Sequence, residues 1–156
     1  MVLDACVLVP IVKSDLLLTL GKRHAFCPLW SQRILGEVSR AVVKVNPQMS
    51  WGLPDVGDRH VVAAAVRGNA AAIATDNIKH FPDDALRQWG MHAISSDDFL
   101  LDVLDLSPSM VLSSLIEMVG RRKNPPVTVD DILHALSLAN VPRFVHEIRA
   151  ILDEGI

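Results

Sequence analysis

The residues able to do chemistry in this chain are a few oxygen-bearing side chains set against apolar segments. Asp4 interrupts the apolar opening MVLDACVLVP. A carboxylate there is costly to bury unless it is hydrogen-bonded, paired or bound to metal; a turn or cap after a very short strand is the plain alternative. Glu37 is the only acid in residues 31–45 and sits beside an apolar helical stripe, where an ordinary exposed helical glutamate would also fit. Asp58 opens DRHVVAAA, a position the helix dipole favours for any acid. Asp76 and Asn77 directly follow AAIAT, and both residue types are common in turns.

Taken together, these positions point to one chemistry. Clustered carboxylates repel one another unless a cation neutralises them. Oxygen ligands without His or Cys suit Mg²⁺ or Mn²⁺. Such an ion lowers the pKa of bound water and stabilises charge on a phosphodiester, so the reaction class is phosphodiester hydrolysis.

The elements that must bring these residues together follow from periodicity. Residues 1–10 read as a buried strand closed by proline, and residues 13–22 as a helix with Ser14 as its cap. A short apolar run at 26–30 precedes a helix over 31–45. Residues 46–57 read as loop, 58–67 as a helix closed by Gly68-Asn69, and 70–75 as a strand. A short helix at 85–89, a strand at 92–95 and a helix at 97–104 capped by Ser96 complete an α/β pattern with a parallel sheet. In such sheets sites form beyond the carboxyl ends of the strands. From Ser107 the pattern is helical only: a helix to Gly120 with Pro108 at its first position, another capped by Thr128, and a last one from Val141-Pro142 to about Leu152. The expected domains are therefore residues 1–106 and a helical extension, 107–156. The apolar positions Leu112, Leu115, Ile116, Val119, Ile132, Leu133, Leu136 and Leu138 exceed what one small sheet covers, which points to a second copy or a partner segment, or else to a tail that folds back on its own domain.

Composition narrows the classes. The 156 residues, half of them hydrophobic, are enough for one core without disulfides. Cys6 and Cys27 lie in apolar runs and are expected as buried thiols, with no zinc spacing. The start lacks a basic segment followed by a long apolar run, and no stretch is long enough to span a membrane, so the expected location is the cytoplasm. The net charge of −3 means that contact with a nucleic acid must come from a local basic patch, and the 4% aromatic content argues against a base-stacking platform. Arg59, His60, Lys79 and His80 flank the expected site, and Arg121-Arg122-Lys123 is the strongest basic run. Phosphatases of the haloacid dehalogenase type need a second aspartate two residues after the first, and Cys6 stands there; receiver domains need adjacent acids that are also missing.

The segments VLDACVLVP, PLWSQRILGEV, DRHVVAAAV, IATDNIKHFP and SSDDFLLDVLDL occur in the order found in PIN-domain nucleases. Over residues 1–106 the chain resembles that family, and within it the VapC-like toxins of toxin–antitoxin pairs; the tail segment NPPVTVDDILHALSLANVPRF resembles that of one subgroup. The resemblance implies a three-layer PIN-like fold and a Mg²⁺- or Mn²⁺-dependent endoribonuclease acting on single-stranded RNA. It further implies a homodimer and a cognate antitoxin whose C-terminal segment enters the acidic site. Asp4, Glu37 and Asp58 match the family's first three acids, which implies Asp4, Asp58 and Asp76 or Asn77 as the metal's holders and Glu37 as the group that orients or deprotonates the attacking water. The fourth position departs from the pattern: Asn77 occupies the usual place two residues after the threonine, Asp76 sits one residue early, and His80 stands where some relatives carry an acid. The family also has a longer, usually helical stretch before DRH, and the abrupt join near residues 46–49 favours missing residues over lost helices. The competing reading is a degenerate PIN domain that only binds a protein or RNA.

Overall fold

A computed structural model describes residues 1–29, 53–54 and 58–154. Glu37, Ser31, the helix expected over 31–45 and the join near 46–49 lie outside the described residues. The chain divides into two compact units: Met1–Cys6 with Cys27–Ser95, and Val7–Phe26 with Ser96–Ile156. The second unit thus starts one helix earlier than the expected division at 106 and also takes up the N-terminal helix.

The first unit is α/β. Strands β1 (Val2–Leu3), β2 (Ala72–Ala74) and β3 (His92–Ile94) form a parallel sheet in the order β1-β2-β3. Val2 pairs with Ile73 and Leu3 with Ala74, while Ala72, Ile73 and Ala74 pair with His92, Ala93 and Ile94. The central place of β2 explains why all three of its residues are buried and apolar. Helix α3 (Arg59–Arg67) packs on β1 and β2. Its buried face, Val61 to Ala65, joins Val2, Ile73, Phe81, Leu86 and Met91 in one core, and the three alanines let helix and sheet approach closely. Gly68 follows α3 for want of space: a Cβ there would lie 2.5 Å from a Leu29 methyl. The left-handed residue after the helix is Asn69, at φ 47°. Helix α4 (Asp83–Arg87) leads into β3.

The opening run is not one long strand. β1 ends at Leu3, and a short helix, α1 (Ala5–Leu8), begins directly after Asp4. Asp4 N–H still donates to Ala74 O at 3.0 Å, extending the ladder by one bond. The carboxylate at position 4 finds its donors beyond the end of β2, so the chain leaves the sheet there. Helix α2 (Ile11–Lys22) starts two residues earlier than expected, with Pro10 at its N-cap rather than Ser14. The thiols are less buried than expected: Cys6 is half-buried and Cys27 exposed.

The second unit is helical: α2 with α5 (Ser96–Leu106), α6 (Pro108–Arg121), α7 (Val129–Ser137) and α8 (Pro142–Glu154). Leu16, Leu17, Leu20, Leu100, Val111, Leu115, Met118, Leu136 and Phe144 are fully or almost fully buried within it. Of the apolar positions expected to be left over, Leu115, Ile132, Leu133 and Leu136 are covered by this packing, whereas Ile116 and Leu138 stay 65% and 75% exposed. Asp15 on α2 takes Arg121 at 2.5 Å and Arg122 at 2.8 Å, and Arg23 pairs with Glu117 at 2.7 Å. Two arginines of the basic run at 121–123 are therefore spent on tying α6 to α2. Lys13 is wholly buried and donates to Ser96 Oγ at 3.1 Å.

Two caps order the tail. Thr128 and Asp131 form the expected capping box at the start of α7. At α8 the cap comes from another helix: Asp97, on α5, accepts Arg143 N–H at 3.1 Å and Phe144 N–H at 2.8 Å. These are charge-assisted bonds to the positive end of α8. Asp97→Ala is expected to cost about 2–3 kcal/mol of stability, with Asp97→Asn recovering part of it, as measured by urea unfolding. Among the described residues no single helix is long and apolar enough to cross a membrane.

Candidate active site

Asp4, Asp58, Asp76 and Asn77 lie at the carboxyl edge of the sheet in the first unit. Asp4 follows β1 and Thr75 follows β2, and the parallel register sets the two side by side. Asp4 is 7% exposed and Thr75 fully buried. Thr75 Oγ1 donates to Asp4 Oδ2 at 2.7 Å, and Cys6 Sγ donates to the same oxygen at 3.1 Å. Among the described residues Oδ1 accepts no hydrogen bond, so one oxygen is fixed and the other is left for a further partner. This is how the cost of burying the carboxylate is met.

Thr75 also accepts Asn77 N–H at 3.1 Å, and Cys6 Sγ accepts Asp76 N–H at 3.4 Å. The turn carrying Asp76 and Asn77 is thereby bound to the Asp4 network. Burial is the main effect raising the Cys6 thiol pKa; the contact with the Thr75 hydroxyl and the bond from Asp76 N–H pull against it, while Asp4 adds to it. Cys6 therefore stays protonated and serves as a donor, not as a nucleophile. Asp76 is half-buried and Asn77 exposed. Thr75→Val, nearly isosteric, is expected to cost about 1–3 kcal/mol by removing the shorter of the two bonds to a buried carboxylate. Thermal unfolding beside Thr75→Ser, which keeps the hydroxyl, checks it.

Asp58 occupies the N-cap position of α3 but makes no side-chain capping bond. Its Oδ2 instead lies 2.9 Å from Nδ1 of His80, at the end of a 3₁₀ turn, Ile78–His80, that follows β2. Since α3 runs back to the start of β2, its first turn lies at the carboxyl edge, which is why Asp58 and a residue just past β2 can meet. Two pieces thus assemble at this edge: Asp4 with Cys6, Thr75 and the 76–77 turn, and Asp58 with His80. Among the described residues no three His, Cys, Asp or Glu side chains are grouped closely enough to hold a metal ion. The donor types fit a hard divalent cation, since Asp4 and Asp58 each have one oxygen held by a neighbouring donor and one outside those bonds. Neither described piece is by itself a complete cage.

The composition of these pairs went partly unread in the sequence. In the sequence Cys6 reads as a buried thiol, and His80 as a flanking basic residue at a place where some relatives carry an acid. A donor two residues after a buried acid is a signal for Cys6; for His80 the signal is that place alone, because its contact with Asp58 depends on how α3 meets the turn after β2.

Residues 96–150 match the family model described as the VapC50 C-terminal domain. The protein named "Putative ribonuclease VapC50" of Mycobacterium tuberculosis (strain ATCC 25618 / H37Rv) is 45% identical over 98 residues, which cover 63% of this chain and 57% of that relative. The chain thus spans a little over half the length of the curated relative it matches. The two matches support the resemblance to VapC-like toxins of the PIN family. No solved structure matches the chain.

Proposed function

We propose that the chain is a PIN-type endoribonuclease that cleaves single-stranded RNA with Mg²⁺ or Mn²⁺, and acts in the cytoplasm as the toxin of a toxin–antitoxin pair. The observation that carries this reading is the buried Asp4 carboxylate at the carboxyl edge of a parallel sheet, with one oxygen tied by Thr75 and Cys6. A ribonuclease name on the 45% identical relative supports it. When bound, the cation supplies Lewis-acid stabilisation of the phosphate and a more acidic water. Asp4 and Asp58 are assigned to hold it, with Asp76 or Asn77 as the further oxygen donor. Glu37 is assigned to orient or deprotonate the attacking water. Lys79, exposed on the same edge, and Arg59 and His60 at the start of α3 are assigned to RNA phosphates. In this reading the sheet-bearing unit performs the chemistry of a PIN-like fold. The helical unit, with its exposed Ile116 and Leu138, serves partners: a second copy or the cognate antitoxin.

The test is cleavage of a fluorescent single-stranded RNA by folded, antitoxin-free protein in Mg²⁺, Mn²⁺ or EDTA. Metal-dependent cleavage is expected. No cleavage of that RNA, nor of total cellular RNA, with any of these ions would overturn the enzymatic reading. One observation favours a second reading, that of a degenerate domain which only binds: among the described residues no three potential ligands are grouped closely enough to hold a metal ion. RNA or antitoxin binding that persists without cleavage would establish it.

A further inference from the structure

We infer that His80 is a positioning residue for Asp58: its Nδ1–H holds one carboxylate oxygen and so presents the other to a divalent cation. The inference rests on the metal-dependent reading above and adds to it a residue outside the expected ligand set.

Three observations carry it. An aspartate at a helix N-cap ordinarily accepts a backbone N–H from the first turn. Asp58 does not do so, and its Oδ2 is 2.9 Å from His80 Nδ1. The carboxylate has thus exchanged the local cap for a partner 22 residues away, across the turn that follows β2. Second, an ionised carboxylate only accepts hydrogen bonds, so Nδ1 carries the proton, and in the neutral ring Nε2 carries the lone pair. The bond therefore fixes both the tautomer of the ring and the rotation of the carboxylate. Third, the pair is partly shielded, with the Asp58 side chain 20% and that of His80 32% exposed. Asp4 shows the same arrangement at the same edge: Oδ2 held by neighbours, Oδ1 outside those bonds. Carboxylates fixed in advance lose less freedom when a cation binds, and partners of this kind commonly tune metal affinity by about 10–100-fold.

The experiment uses the full chain and Mn²⁺ as the probe. Binding is measured by titration calorimetry and by electron paramagnetic resonance of free Mn²⁺, beside RNA cleavage rates, for wild type, His80→Ala, His80→Asn and His80→Gln. An asparagine amide nitrogen occupies nearly the place of Nδ1, whereas a glutamine amide reaches that of Nε2. His80→Ala and His80→Gln are expected to weaken Mn²⁺ binding about tenfold, and His80→Asn to stay within about threefold of wild type. The glutamine and asparagine variants keep the bulk of the side chain, so the comparison survives if the alanine variant fails to fold. Unchanged Mn²⁺ binding in a folded His80→Gln protein overturns the inference, and cleavage that persists there leaves the nuclease reading intact. Failure of His80→Asn to rescue also overturns it. Wild-type protein that neither binds Mn²⁺ nor cleaves RNA overturns both.

Discussion

Asp4→Asn is expected to lower RNA cleavage by about a thousandfold while leaving the fold in place. The substitution keeps the size of the side chain and one carbonyl oxygen able to accept the Thr75 hydroxyl, now at 2.7 Å from Asp4 Oδ2. What it removes is the negative charge and one good oxygen donor for a cation at the edge of the sheet. Lewis-acid stabilisation of a phosphoryl transition state is worth several kcal/mol, and each 1.4 kcal/mol is tenfold in rate, so losing most of it gives about three orders of magnitude. Initial rates on single-stranded RNA in Mn²⁺ measure the effect, and a thermal melt beside them should show no more than about 1 kcal/mol of destabilisation. Asp4→Ala is the less informative change. It leaves the fully buried Thr75 hydroxyl without its acceptor, so a loss of activity would be mixed with a loss of stability. Cleavage by Asp4→Asn within tenfold of wild type would remove Asp4 from the reacting centre.

Phe144→Ala should produce the largest loss of stability, about 3–5 kcal/mol. Phe144 lies on α8, is fully buried in the helical unit, and its backbone N–H is one of the two groups capped by Asp97. Truncating the ring forfeits its transfer free energy and leaves a cavity among helices that cannot close in without breaking the cap. For a chain of this length the loss corresponds to about 10 °C in Tm. Leu138→Ala is the control: that side chain is 75% exposed, and its loss should change stability by less than about 0.5 kcal/mol. Calorimetry on the two variants separates the cases. Similar melting points would mean that the helical unit is not packed around Phe144 as described. Should Leu138→Ala instead shift a dimer or an antitoxin complex without moving the monomer's melting point, the exposed leucine would belong to a partner surface.

The sequence by itself determined what local chemistry dictates. The burial of AIA in a central strand, the helix opened by Asp58, the proline at the start of α6 and the Thr128 cap are each set by residues within a turn or two of one another, where periodicity and capping preferences act. Asp4 was legible as an acid in need of partners because its neighbours are apolar. Which partners it has was decided only by the tertiary structure. Thr75 and Asp4 are 71 residues apart, and they meet because parallel pairing of β1 with β2 sets the two strand ends side by side. The same holds for His80 and Asp58, which are joined through the packing of α3 on the sheet. It also holds for the early end of β1, where the needs of one carboxylate outweighed an apolar run that would otherwise have continued as strand. The assignment of α2 to the helical unit likewise lay beyond local reading, since it depends on Asp15, Arg23 and a leucine face finding α6 about a hundred residues later. Local propensities fix where elements form; long-range packing fixes which side chains share a site, because no short-range pattern encodes a contact between distant segments.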